Sequence, residues 1–384
     1  MSRQRAEKRN RGPVVLVVSP HAGRANHENP AKLLKAAGLE VGEVLEISEL
    51  DRTEPLGPRW REQGFTMAVA AGGDGTIGAV ASQIVETGLP LGILPMGTSN
   101  DVARAVQVPL DLEEAARGIA TGISTSIDVA QAIPATTEPL KQVQETDDAA
   151  GYEARAKRGA YFLHALTLGL NVEFARLATD VAHRQRFGAF NYAAAALESV
   201  TKFRPVRLTM RLAGVGRTGG SRAEAPDKDG NLTIEYSVVQ IAAINLPVFG
   251  GKRNLRLPDV ELHDRLLDFV VIPAAEPPNL RASAERWLGT LERLGELIPG
   301  RTQTEEPEPT SEQDLTTWPG VIRYQAREAM IDTDEQLDVT LDGEVRGHTP
   351  VLLRVAETPL TILLPASAHD ALAATSAGRD NTTQ

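Results

Sequence analysis

The chain has 384 residues, with 40 Lys and Arg against 51 Asp and Glu and a formal net charge of −11. That balance argues against a dedicated nucleic-acid binder, which presents a basic surface. Cysteine is absent, which excludes disulfide frameworks, thiolate metal sites and a cysteine nucleophile.

The opening MSRQRAEKRNRG is basic but leads into no signal-peptide core. The apolar run that follows, Val14 to Val18, is far short of the ~20 residues a membrane span needs. A cytoplasmic location is therefore expected. Val14 to Val18 reads as a buried strand, Pro30 to Ala37 as a helix, Leu39 to Ile47 as a strand and Pro58 to Gln63 as helical. Phe65 to Ala71 is a strand, Thr76 to Glu86 a helix with Ile77, Val80, Ala81 and Ile84 on its apolar face, and Leu91 to Leu94 a fourth strand. Continuous apolar strands separated by helices predict a parallel sheet covered on both faces, a Rossmann-like α/β domain. After about Thr121 the pattern changes. Leu208 to Leu212, Leu232 to Ile244, Leu267 to Ile272, Leu337 to Leu341 and Val351 to Val355 are strand-like runs between Gly-, Asp- and Pro-rich turns, which predicts an antiparallel β-sandwich-like domain. Two helices are expected within it, Phe187 to Lys202 and near Ala282 to Leu297. Thr136 to Glu153, Arg301 to Asp314 and Gly214 to Gly230 read as surface insertions, the last as a long hairpin loop. The small polar tail is expected to be disordered over 367–384.

Three loops carry the chemistry. Gly72-Gly73-Asp74-Gly75-Thr76 lies between a predicted strand and a predicted helix. Glycines there let the backbone approach a ligand, and the N–H groups of the turn and helix start suit phosphate oxygens. A carboxylate in such a cradle repels phosphate unless it serves a metal or accepts a proton, which singles out Asp74. The plain structural alternative is a glycine turn with Asp74 as helix cap. The same segment spells Gly73-x-Gly75-x-x-Gly78, but the acidic residue expected about 20 positions on is missing, so the dinucleotide fingerprint is not met. Gly97-Thr98-Ser99-Asn100-Asp101 follows the next strand, and Ser99 or Asn100 can cap a helix starting near Asp101. Ser19-Pro20-His21-Ala22-Gly23-Arg24 follows the first strand. In a parallel sheet all three loops lie at the carboxyl edge, where such sheets bind ligands. Asp342-Gly343 between two strand-like runs is a hairpin signal.

In this order the loops resemble the diacylglycerol kinase catalytic family of soluble lipid kinases, which includes sphingosine kinases and has NAD kinases as distant relatives. The family pattern runs Asn-Pro-x-x-Gly, GGDGT, GTxND and a late DGE turn. Here it reads Ser19-Pro20-His21-Ala22-Gly23, Gly72 to Thr76, Gly97 to Asp101 and Asp342-Gly343-Glu344. Residues 1–12 read by composition as a basic flexible arm, and the resemblance implies a nucleotide-binding α/β domain over 13–125, to which strands near 358–366 return, and a β-rich lipid-binding domain over 126–357. ATP and the lipid acceptor would meet between them. It further implies ATP contacts from Ser19, Gly23, Arg24, Gly72, Gly73, Gly75, Thr76, Gly97, Thr98 and Asn100, catalytic roles for Asp74 and Glu344, and Mg²⁺ ligation by Asp101 and Asp264. The partners implied are a lipid at the membrane surface and transient peripheral contact with that membrane. The acceptor lipid and the oligomeric state, a homodimer included, are left open.

Three departures stand out. Ser19 replaces the usual Asn, Ile77-Gly78-Ala79-Val80 replaces Ile-Asn-Glu-Val, and Arg265 stands where the segment around Asp264 usually has Gly. A positive φ would strain Arg265, and its charge bears on Asp264 as a metal ligand. The rival readings are an NAD kinase-like enzyme and a non-catalytic lipid- or nucleotide-binding relative.

Overall fold

The computed structural model describes residues 12–20, 29–50, 54–135, 159–169, 172, 204–219, 223–249, 255–274, 313–314 and 321–372. The expected helices at 187–202 and 282–297 lie outside them, as do the basic arm up to residue 11, the insertion at 136–153 and most of that at 301–314. The chain forms two compact units. One comprises Met1–Val129, Glu261–His263 and Glu357–Gln384, the other Ala130–Val260 and Asp264–Ala356.

In chain order the first unit contains β1 (Val14–Val18), α1 (Pro30–Ala36), β2 (Val41–Glu46), α2 (Gly57–Glu62), β3 (Met67–Gly72), α3 (Asp74–Ile84), β4 (Leu91–Pro95), α4 (Asp101–Ala105), α5 (Leu112–Thr121) and β5 (Ile123–Ile127). The second contains β6 (Ala130–Pro134), β7 (Ala160–Phe162), β8 (Ala165–Gly169), β9 (Val206–Gly219), β10 (Leu232–Ile244), β11 (Val248–Phe249), β12 (Leu255–Arg256), β13 (Leu267–Pro273), β14 (Gln313–Asp314), β15 (Ile322–Thr333), β16 (Asp338–Leu341), β17 (Glu344–His348) and β18 (Val351–Val355). β19 (Leu360–Leu364) belongs to the first unit again.

The first sheet has the order β2-β1-β3-β4-β19-β5. Its neighbours are parallel except at β5, which runs antiparallel to β19. β3 and β4 are buried along their whole length, whereas β2 alternates half-buried and exposed residues. That contrast follows from position: central parallel strands are covered on both faces, and an edge strand is not. The helices start where the sequence supplies caps. Asn29 accepts from Lys32 N at 3.1 Å ahead of Pro30, and Asp111 accepts from Glu114 N at 2.9 Å, each satisfying a backbone donor that the helix leaves open.

In the second unit the order is β17-β16-β8-β10-β13-β15-β18-β6-β7, and β9 pairs with both β10 and β15. The sheet therefore folds back on itself around a core that includes Phe162, Met210, Ile241, Phe269 and Tyr324. A small three-stranded sheet, β11-β12-β14, stands apart from it.

Two expectations are corrected. Residues 214–219 are not loop but the second half of β9, because β15 offers them a partner ladder from Gly219 opposite Arg323 to Ala213 opposite Glu328. Gly214, at φ +64°, takes the turn in that strand that a side chain would resist. Residues 366–372 are helical rather than disordered, with His369 N bonded to Pro365 O and Ala368 buried.

Candidate active site

β3 and β4 end side by side, with Gly72 opposite Pro95, so their two glycine loops emerge together. Met96 N donates to Gly72 O at 2.9 Å. A Cβ at Gly97 would lie 2.4 Å from Gly73 Cα and 2.9 Å from Asn100 Oδ1, and one at Gly72 would lie 2.3 Å from Thr76 Oγ1. The loops pack backbone against backbone, and glycine is what lets them. Ser19 joins this edge from β1, its N–H donating to Ala71 O at 3.1 Å. Gly23 and Arg24 lie outside the described residues.

Asp74 is the first residue of α3, after Gly73 at the N-cap position. Its Oδ1 accepts from Val102 N, in the first turn of α4, at 2.8 Å. The carboxylate thus couples the starts of the two helices that follow the two loops. Asn100 occupies the N-cap position of α4 in the left-handed conformation, φ 52°. Its side chain does not cap the helix. Oδ1 accepts from Gly97 N at 2.9 Å and Nδ2 donates to Gly97 O at 2.9 Å, which staples the loop to itself. Gly73, Asp74 and Gly75 are half-buried, Thr98 is exposed, and Thr76 is buried over Gly72. Asp101 is buried in the first turn of α4. Ser19, Gly72, Gly73, Asp74, Gly75, Thr76, Gly97, Thr98, Asn100 and Asp101 therefore gather at one edge of the first sheet.

Glu344 and Asp264 belong to the second unit. Asp342 at φ 48° and Gly343 at φ 84° make the two-residue turn between β16 and β17, the geometry an Asp-Gly pair favours. Sequence reasoning read Asp342 only as a turn residue and carried no signal of what its carboxylate holds. The turn residue is partly exposed, but its carboxylate accepts backbone N–H groups of Leu163, His164 and Ala165 at 2.9, 2.8 and 3.2 Å. Burial pushes its carboxyl above the usual range, and the Leu163 amide, His164 and the other two amides pull against that. The turn that carries Glu344 is thereby pinned to the loop between β7 and β8. Glu344 follows it, accepting from Arg346 Nε and Nη2 at 3.1 and 2.9 Å.

Around Asp264 the residues do not fit a cation. Asp264 Oδ1 accepts from Leu266 N at 2.9 Å and Oδ2 from Gln325 Nε2 at 3.1 Å. Asp268, 1% exposed, is held by Arg323, whose Nε and Nη2 lie 2.7 and 2.6 Å from its Oδ1. Burial pushes the Asp268 carboxyl up to about 6, against the pull of Arg323. Arg265 does adopt the left-handed conformation, φ 64°, and its Nη1 donates to Ala356 O at 2.8 Å. Among the described residues no group of three or more His, Asp and Glu side chains is placed to hold a metal ion. Neither Asp268 nor Arg323 was singled out from the sequence. Asp268 ends the Asp264–Asp268 segment and was within reach, but Arg323 is remote in the chain and carried no signal.

Paired glycine loops at the carboxyl edge of a parallel sheet, one holding a carboxylate, and a separate antiparallel β unit are the architecture that the sequence resemblance implied. Comparison with known proteins makes this specific. Residues 13–132 match the diacylglycerol kinase catalytic domain, and residues 165–287 match the YegS C-terminal NAD kinase beta sandwich-like domain. The chain belongs to the diacylglycerol kinase catalytic-domain family. The diacylglycerol kinase of Bacillus subtilis is 24% identical over 74% of this chain and 73% of its own length. A Klebsiella pneumoniae protein named "Probable lipid kinase YegS-like" is 48% identical over 16% of this chain and 22% of its own length, and a Synechocystis relative is matched over 30% of its length. A crystal structure of a diacylglycerol kinase from Bacillus anthracis superimposes with a TM-score of 0.53, covering 93% of this chain and 98% of that one at 17% identity, a likeness of fold. Among the described residues no helix is long and apolar enough to cross a membrane.

Proposed function

We propose that the protein is an ATP-dependent kinase that phosphorylates the hydroxyl of a diacylglycerol-like or other lipid alcohol. The observation that carries this reading is the locked pair of glycine loops with Asp74 at its centre. Phosphoryl transfer asks the protein chiefly for positioning and for charge at the reacting oxygens. Bound ATP would supply the phosphoryl group, and a divalent cation held by Asp74 and Asp101 would offset the charge of its phosphates. The N–H groups of the Gly72–Thr76 loop and the start of α3 receive phosphate oxygens, completed by Gly97, Thr98, Asn100, Ser19, Gly23 and Arg24. Asn100 contributes by holding its loop in shape, since its amide is engaged with Gly97.

Asp74 spends Oδ1 on Val102 N and keeps Oδ2 for a proton or a cation. Glu344 is the second carboxylate, its turn fixed through Asp342. Asp101 supports them from the first turn of α4. The acceptor is bound by the second unit, and the lipid is collected by transient contact with a membrane surface. The test is ATP consumption by the purified chain against a panel of diacylglycerol, sphingoid base, phosphatidylglycerol and polyprenol, with NAD alongside. Phosphorylation of a lipid supports the reading. Turnover with NAD alone, or with none of them, rejects it.

A further inference from the structure

We infer that the Arg323 guanidinium occupies the position of a divalent cation in the Asp264–Asp268 turn, so that the second unit carries an internal cationic clamp in place of a metal site. The oxygens gathered there are the hard donors that Mg²⁺ and Ca²⁺ prefer, carboxylates and a backbone carbonyl. Here they receive N–H groups instead. Arg323 Nη1 donates to Pro258 O at 2.7 Å and Nε to Asp268 Oδ1 at 2.7 Å. Nη2 is buried and lies 2.6 Å from the same oxygen, off the line of a hydrogen bond. The two side chains are 11% and 2% exposed.

Gln325 closes the arrangement. Its Nε2 donates to Asp264 Oδ2 at 3.1 Å and lies 3.5 Å from Asp268 Oδ2, while Asp264 Oδ1 takes Leu266 N. Three of the four carboxylate oxygens of Asp264 and Asp268 thus have a protein donor within 3.1 Å, and the fourth faces Gln325. A cation could enter only by expelling a buried guanidinium and leaving it unpaired, which is strongly unfavourable. Arg265 adds to the exclusion. Its left-handed backbone keeps the shape of the turn, and its guanidinium is drawn away to Ala356 O, so the turn is held by protein contacts throughout.

The consequence is a second unit whose stability does not respond to divalent cations. This does not rest on the kinase reading, because the measurement uses no substrate. Thermal unfolding of the full chain is recorded in chelator and in millimolar CaCl₂ or MgCl₂, with calorimetric titration of CaCl₂ alongside. The wild-type Tm is expected to agree across these conditions within about 1 °C, a shift too small to reflect a specific bound ion. Arg323→Gln frees Asp268 Oδ1 and Pro258 O, so it should melt lower in chelator, regain stability saturably with Ca²⁺, and bind one ion that Asp268→Asn combined with it abolishes. Arg323→Lys retains a cation in the pocket and should remain indifferent, which keeps the test open if the Gln variant fails to fold. A wild-type chain that binds Ca²⁺ at one site lost in Asp264→Asn or Asp268→Asn would overturn the inference. So would a folded Arg323→Gln chain with no cation response.

Discussion

Replacing Asp74 by Asn separates its two jobs. In the structure Asp74 Oδ1 accepts from Val102 N at 2.8 Å, and Val102 is fully buried. A hydrogen bond to a charged acceptor contributes roughly 1.5–3 kcal/mol and a neutral one about 1 kcal/mol. Asn keeps an acceptor for Val102, so the fold should lose about 1 kcal/mol, a Tm decrease of roughly 2–4 °C for a unit of this size. Ala strands the Val102 amide and should cost roughly 2–3 kcal/mol. The catalytic loss has a different scale. Without the charge at Oδ2 neither a proton nor a cation is served, and turnover should fall by ~100-fold or more. The assay pairs thermal unfolding of Asp74→Asn and Asp74→Ala with ATP consumption on the lipid that the wild type phosphorylates. A folded Asp74→Asn protein with near-wild-type turnover would refute the assignment and leave Asp74 as a brace between two helices.

Further outcomes are expected. Gly97→Ala places a Cβ 2.4 Å from Gly73 Cα, so the loops must separate; a cost of roughly 1–3 kcal/mol and weaker ATP binding by calorimetry should follow, and unchanged affinity would contradict the cradle. Glu344→Gln removes a partly exposed pair with Arg346, worth at most about 1 kcal/mol, yet turnover should fall about 100-fold; a folded, fully active protein would remove the turn from the site. Burial raises Asp268 from 3.8 to about 6, so the folded protein keeps a proton that the unfolded chain releases. Its contribution is present below pH 4 and lost as pH rises through 6, by about 3 kcal/mol at most. The stability of wild type relative to Asp268→Asn in urea should therefore decline over that window, and a flat or rising difference would count against it. Deleting residues 2–11, which hold Arg3, Arg5, Lys8, Arg9 and Arg11, should weaken binding to anionic vesicles at low salt, by roughly 1 kcal/mol per basic residue; equal partitioning would exclude the arm.

The first sheet was the most legible part of the chain, because β1, β3 and β4 are uniform apolar runs that only double-sided burial explains. The glycine loops were legible for a related reason, since glycines that permit a 2.4 Å approach leave their mark as letters. What Asn100 does was not. Its position promised a helix cap, but in the left-handed conformation its amide turns back to Gly97, and tertiary packing of the two loops decides that. The end of β9 was misread because glycine and mixed charge describe a loop equally well, while the ladder to β15 comes from a segment distant in the sequence. The strain expected at Arg265 is present as φ 64°. Its counterpart, the guanidinium of Arg323 beside Asp268, depends on a register between β13 and β15 that no local pattern encodes.

β19 sits between β4 and β5 in the first sheet, although the whole second unit is threaded between β5 and β19 in the chain. On the ribosome this sets a schedule. β1 to β4 and the loop bearing Asp74 are synthesised early, but β5 has no neighbour to pair with until Leu360–Leu364 leaves the exit tunnel. Until then the exposed edge of β4 is open to strands from other chains. A nascent chain halted before Leu360 therefore carries the complete Gly72–Thr76 sequence on an unfinished sheet.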